Sequence, residues 1–147
     1  VMDPAEGASF TLIDDAFNAN PVSMAAAFEV LAASQPGPGG RMVAILGDML
    51  ELGPTETAEH VALAAHPALA GVAEVHCVGP LMAHLHAALP PEKRGRRVDR
   101  VEDLGARLGT LVHPGDVVLV KGSKGSLVSR AVELLRHLGQ GTPAPKE

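Results

Sequence analysis

Asp116-Val117-Val118-Leu119-Val120 (DVVLV), with Lys121 to Ser126 (KGSKGS) and the stretch Leu127 to Leu138 behind it, decides the fold. Four consecutive apolar side chains leave no polar face, as expected of a strand covered by helices on both sides. Val128, Val132, Leu135 and Leu138 then recur at helical spacing, which makes the next element an amphipathic helix. The short glycine-bearing link between them reads as a direct strand-to-helix turn, the unit from which parallel sheets are built.

The same alternation extends back to the start of the chain. Ser9 to Asp14 (SFTLID) reads as a strand, and Asn20-Pro21 opens a helix to about Ala33, with Asn as N-cap and Pro at the first helical position. After the breaker loop Gln35 to Gly40, Arg41 to Leu46 (RMVAIL) is a second strand and Gly47 to Gly53 a loop. Pro54 starts a helix to about Ala65, interrupted at Pro67. Glu74 to Val78 is a third strand, Leu81 to Leu89 a helix, Arg96 to Asp99 a fourth strand. Val101 to Leu111 is a helix weakened by Gly105 and Gly109. The expected architecture is α/β, with a mostly parallel sheet between helical layers. Residues 1–138 form the domain, and the Gly/Pro-rich residues 139–147 form a frayed tail.

Bulk properties narrow the function. A chain of 147 residues is one domain, its 46% apolar content comes from small aliphatic residues, and only 2% is aromatic. A net charge of −5 argues against a general nucleic-acid binder. The basic cluster Lys93, Arg94, Arg96, Arg97 and Arg100 reads as a solvated loop and strand edge. Cys77, the only cysteine, lies in the apolar run VHCV and reads as a buried thiol, in keeping with a reducing cytoplasm. No apolar run is long enough for a membrane span, and no leader is visible. The chain starts at Val1 rather than Met, as a piece of something longer would.

Open parallel sheets bind ligands beyond the carboxyl ends of their strands. The polar residues gather there: Asp14, Asp15, Asn18 and Asn20 after the first strand, Gly47, Asp48 and Glu51 after the second, Lys121 to Ser126 after the last. KGSKGS places main-chain N–H groups, hydroxyls and ammonium groups at a helix start, which suits an anion. Neither a G-x-x-x-x-G-K-[ST] cradle nor a strand-linked G-x-G-x-x-G occurs. His84 and His86 are two apart, His60 and His66 six apart, so neither pair shares a helix face and no metal constellation emerges.

Two readings of different class fit such a chain. A receiver-like signalling module would carry an acidic pair after its first strand and a Lys after its last, as Asp14, Asp15 and Lys121 do, but would need an Asp after its third strand, where Val78-Gly79-Pro80 stands. The other reading rests on a series of motifs. DDAFNANPVSM (Asp14 to Met24) with an Ala-rich helix, GRMVAILGDMLELG (Gly40 to Gly53), His60, VHCVG and VLVKGS occur in order. From about Phe10 to Leu138 the chain resembles the third domain of the Mur ligases, most closely the MurF type, which adds D-alanyl-D-alanine to UDP-N-acetylmuramoyl-tripeptide in peptidoglycan synthesis; a member adding a different amino acid is the nearest alternative.

The resemblance implies a Rossmann-like three-layer α/β/α fold of about six strands, one of them antiparallel. It implies an ATP-dependent enzyme whose first domain binds the UDP-sugar and whose central domain holds the P-loop, the Mg2+ ligands and a modified lysine. The domain resembled here closes over ATP and helps bind the amine substrate, and alone it is expected to be inactive. By position, Asp15 would bond the ATP ribose, and Asn18 and Asn20 would shape the adenine and ribose pocket. Phe17 stands where the family generally has Tyr, which keeps the ring without the hydroxyl. Lys121 and Ser123 would lie near the dipeptide carboxylate or γ-phosphate, Asp48 would hold the dipeptide ammonium with Glu51 assisting, and His60 would belong to the same substrate side.

Overall fold

The computed structural model describes residues 10–15, 19–105, 108–123 and 128–140. Five strands are described: β1 (Thr11–Asp15), β2 (Met42–Gly47), β3 (Val72–Val78), β4 (Arg94–Val98) and β5 (Val117–Lys121). Six helices accompany them: α1 (Pro21–Ala32), α2 (Glu56–Leu63), α3 (Met82–Ala88), α4 (Glu102–Gly105), α5 (Leu108–Leu111) and α6 (Ser129–Gln140). The sheet order is β1-β5-β2-β3-β4, and each neighbouring pair is parallel. The sixth strand and the antiparallel pair implied by the resemblance are not among the described residues.

The strand order explains the layers. From β1 through β4 the chain advances across the sheet in one direction, so right-handed crossovers put the connecting helices on one face. The step from β4 back to β5 reverses direction and puts its helices on the other. The two cores follow this division. Met24, Phe28 and Leu31 of α1, Leu63 of α2, and Met82 and Leu85 of α3 pack with Ala44, Leu46, Val117 and Leu119. Leu104, Leu108, Val128, Ala131, Val132 and Leu135 pack with Val43, Ile45, Val118 and Val120. Alternate residues of β2 and β5 therefore serve opposite cores, which is why both read as unbroken apolar runs. Each fully buried Val or Leu contributes about 1.5–3 kcal/mol.

Local signals account for the helix starts. Asn20 caps α1: its Oδ1 accepts from Ser23 N–H at 2.8 Å, and Ser23 Oγ accepts from Asn20 N–H at 3.0 Å, a reciprocal capping box worth about 1 kcal/mol. Pro54 sits in a 3-10 turn (Gly53–Thr55) that leads into α2. Cys77 is buried, and burial pushes its thiol up to about 12, so it is an inert part of the core. β4 is the sheet edge, with Arg94, Arg96 and Arg97 exposed along it, an arrangement that discourages edge-to-edge pairing.

Candidate functional site at the carboxyl edge of the sheet

β5 lies between β1 and β2, yet its following helix covers the opposite face from theirs. Strand β5 and its two neighbours thus lead to helices on opposite faces, which makes their carboxyl ends the switch point where doubly wound sheets hold ligands. Asp15, Asp48, Lys121 and Ser123 stand there.

Lys121 is the last residue of β5, in register with Asp15 of β1 and Leu46 of β2. Its side chain is 1% exposed, and its Nζ lies 3.0 Å from Asp15 Oδ2, whose own side chain is 46% exposed. The pair thus has a buried cation and a half-open carboxylate whose solvent side can accept hydroxyl donors. Asp14 turns to the opposite face and takes a hydrogen bond from Arg136 Nη2 of α6 at 3.2 Å. The alternation of a strand separates two neighbouring acids into a site residue and a helix anchor.

Asp48 follows β2 and is buried. Its Oδ1 accepts from Met82 N–H at 2.8 Å, and burial raises its carboxyl above the ordinary value while main-chain donation from Met82 and Leu81 opposes the shift. Gly79, at φ +111°, makes this fit possible: a Cβ there would lie 2.5 Å from the Asp48 carboxylate. The carbonyl of Asp48 accepts from Ser123 N–H at 3.2 Å, tying the β2 loop to the β5 loop. His60 of α2 is fully buried. Its Nε2 accepts from Met49 N–H at 3.0 Å, and its Nδ1 lies 2.7 Å from the Glu56 carbonyl. Glu51 is exposed in the same loop, at φ 64°.

The structure therefore places Asp15 against Lys121 and Ser123 against the Asp48 carbonyl at the carboxyl edge of the sheet, with His60 bonded to the next peptide N–H, that of Met49. Asn20 stands at the start of α1, on the connection leaving β1. Phe17 and Asn18 lie outside the described residues, as do Lys124 to Ser126. Gly79 and the first N–H groups of α3 were not singled out from the sequence; the only cue was a glycine between a strand and a proline. A receiver-like reading finds no support, because β3 ends at Val78 and runs into Gly79-Pro80. Among the described residues, no three His, Cys, Asp or Glu side chains converge as a metal set, and no helix is long and apolar enough to cross a membrane.

Residues 2–124 match the family model for the Mur ligase, glutamate ligase domain. The chain is 36% identical over 148 aligned positions to the UDP-N-acetylmuramoyl-tripeptide–D-alanyl-D-alanine ligase of Mycobacterium tuberculosis (strain CDC 1551 / Oshkosh), covering 88% of this chain and 29% of that protein. It is 36% identical over 130 positions to the ligase of the same name from Escherichia coli (strain K12), covering 87% and 27%. The crystal structure of MurF ligase from Thermotoga maritima in complex with ADP superposes with a TM-score of 0.74 at 25% identity, over 91% of this chain and 30% of that one. The chain thus spans less than a third of the length of these relatives. Its parallel sheet, its two helical layers and this match over most of its length establish that the chain belongs to the Mur ligase family, as the C-terminal domain.

Proposed function

We propose that this chain is the closing wall of an ATP-dependent ligase that adds D-alanyl-D-alanine to UDP-N-acetylmuramoyl-tripeptide in the cytoplasm. In that reaction a precursor carboxylate oxygen attacks the γ-phosphorus of ATP and ADP leaves. The dipeptide amine then attacks the acyl carbon, the bond to phosphate breaks, and an amide forms with release of phosphate and a proton. The N-terminal and central domains of the same ligase supply the UDP-sugar site and the phosphate cradle.

The observation that carries this reading is the Asp15–Lys121 pair at the switch-point strand ends, beside the Asp48–Ser123 contact. The half-open Asp15 carboxylate is suited to ribose hydroxyls, with Phe17, Asn18 and Asn20 completing the nucleotide side. Lys121 and Ser123 serve the dipeptide carboxylate or the γ-phosphate, while Asp48, Glu51 and His60 form the amine side. The described carboxylates do not fit Mg2+, because no three ligand side chains converge among the described residues. Its ligands belong to the rest of the ligase.

Kinetics of a full-length ligase carrying this domain test the assignment. Asp15→Ala is expected to raise the ATP KM roughly tenfold, the loss of one hydrogen bond to a charged group. Lys121→Ala is expected to impair mainly dipeptide use or turnover. Unchanged steady-state constants for both variants would overturn the site.

A further inference from the structure

Helix α2 meets the loop after β2 through His60. His60 Nε2 accepts from Met49 N–H, so the ring proton sits on Nδ1 and is donated to the Glu56 carbonyl. Both bonds go to main chain, and the ring is fully buried. A substrate could reach neither nitrogen without breaking a bond already made. The peptide that His60 grips adjoins Asp48, whose carbonyl takes the Ser123 N–H and whose carboxylate takes the Met82 N–H. Residues 48 and 49 are therefore held from three sides, by α2, by α3 and by the loop after β5.

We infer that His60 is a positioning residue for the amine substrate: it fixes the 48–49 main chain and, through the Asp48 carbonyl, sets the spacing between the loops after β2 and β5. This rests on the functional reading above and gives His60 an indirect role on the substrate side. The ATP-facing residue Asp15 lies on β1, beyond β5 from this bracket. With Ser123 serving the dipeptide carboxylate, loosening His60 should therefore be felt by the amine substrate and little by the nucleotide.

Two measurements on a full-length ligase carrying this domain test the inference. In the first, His60→Ala is expected to raise the KM for D-alanyl-D-alanine roughly tenfold, the loss of about one well-made hydrogen bond to the loop, while the ATP KM moves less than about twofold. His60→Gln, whose side-chain oxygen can again accept from Met49 N–H, is expected to recover part of the loss. An unchanged amine KM, or an equal rise in both KM values, would overturn the positioning role. The second measurement needs no variant to fold. Nitrogen-15 NMR of the histidine-labelled wild-type ligase is expected to show His60 with its proton on Nδ1 and a bare, hydrogen-bonded Nε2. A proton on Nε2 instead would overturn the bracket. A wild-type ligase that rejects D-alanyl-D-alanine would sink the functional reading, whereas the Nδ1–H tautomer would still support the bracket.

Discussion

The two ends of this sheet use the same residue types to different effect. At the amino edge, Asp116 is fully buried and its two oxygens accept from Arg41 N–H (2.9 Å), Arg41 Nη2 (3.1 Å) and His113 N–H (2.8 Å). Arg41 also donates to the Leu111 carbonyl, and Gly40 lies so close to Gly115 that a Cβ on it would fall 2.0 Å from the Gly115 carbonyl oxygen. At the carboxyl edge, the acid of the Asp15–Lys121 pair is half open and the cation is the buried partner. One edge spends its charges on joining β2 to β5, and the other leaves a carboxylate facing water at the ends of β1 and β5. An acid–base pair is a clamp where main-chain donors saturate it, and a candidate ligand site where they do not.

Substitution at each edge can break that contrast. The largest effect is expected from Asp116→Ala, which leaves Arg41 and two main-chain donors without their acceptor. Each donor left without its acceptor costs about 1–3 kcal/mol, read as a drop in the urea midpoint, with the KM values of a full-length ligase unaltered wherever it stays folded. Asp15→Ala should cost less stability, because its carboxylate is half solvated and fewer donors lose their acceptor, although it removes a carboxylate from beside the buried Lys121 ammonium; it should also move the ATP KM. Equal stability losses at both edges with no kinetic difference would erase the distinction.

The smallest expected effect concerns His76, buried on β3 with its Nδ1 accepting from Arg96 N–H at 2.9 Å. Burial, foremost, holds its pKa below the ordinary 6.5. The unfolded chain therefore takes up a proton as the pH falls through that value while the folded ring resists. The unfolded state binds more protons in this window, so stability is full above pH 6.5 and declines below it. Gln at this position cannot titrate. The urea midpoint of His76→Gln should therefore fall less than that of the parent chain between about pH 7.5 and 5.5; an equal fall would remove His76 as the cause.

Much of the fold was legible because its signals are local. DVVLV and RMVAIL announce strands covered on both sides, Asn20-Pro21 announces a capped helix, and VHCV announces a buried thiol. Boundaries were less so: β4 spans Arg94–Val98 rather than Arg96 to Asp99, and β3 starts at Val72, because edge pairing and register shifts set strand ends. The gathering of polar residues at three strand ends could be read from their place after strands. The Asp15–Lys121 contact could not, since it depends on β5 inserting between β1 and β2. Nor could the sequence tell that both His60 nitrogens serve main-chain groups, or that Asp48 packs against Gly79 and the start of α3. Those are long-range facts with no local pattern.

On the proposed function, this chain supplies one wall of a ligase site and the chemistry needs the other domains. The most direct test is an assay of ATP-dependent amide formation from UDP-N-acetylmuramoyl-tripeptide and D-alanyl-D-alanine, run on these 147 residues alone and on the same residues joined to Mur ligase N-terminal and central domains. No amide is expected from the chain alone, and ATP-dependent amide from the joined protein. Amide formation by the 147 residues alone, or none from the joined protein when it is folded, would contradict the proposed function.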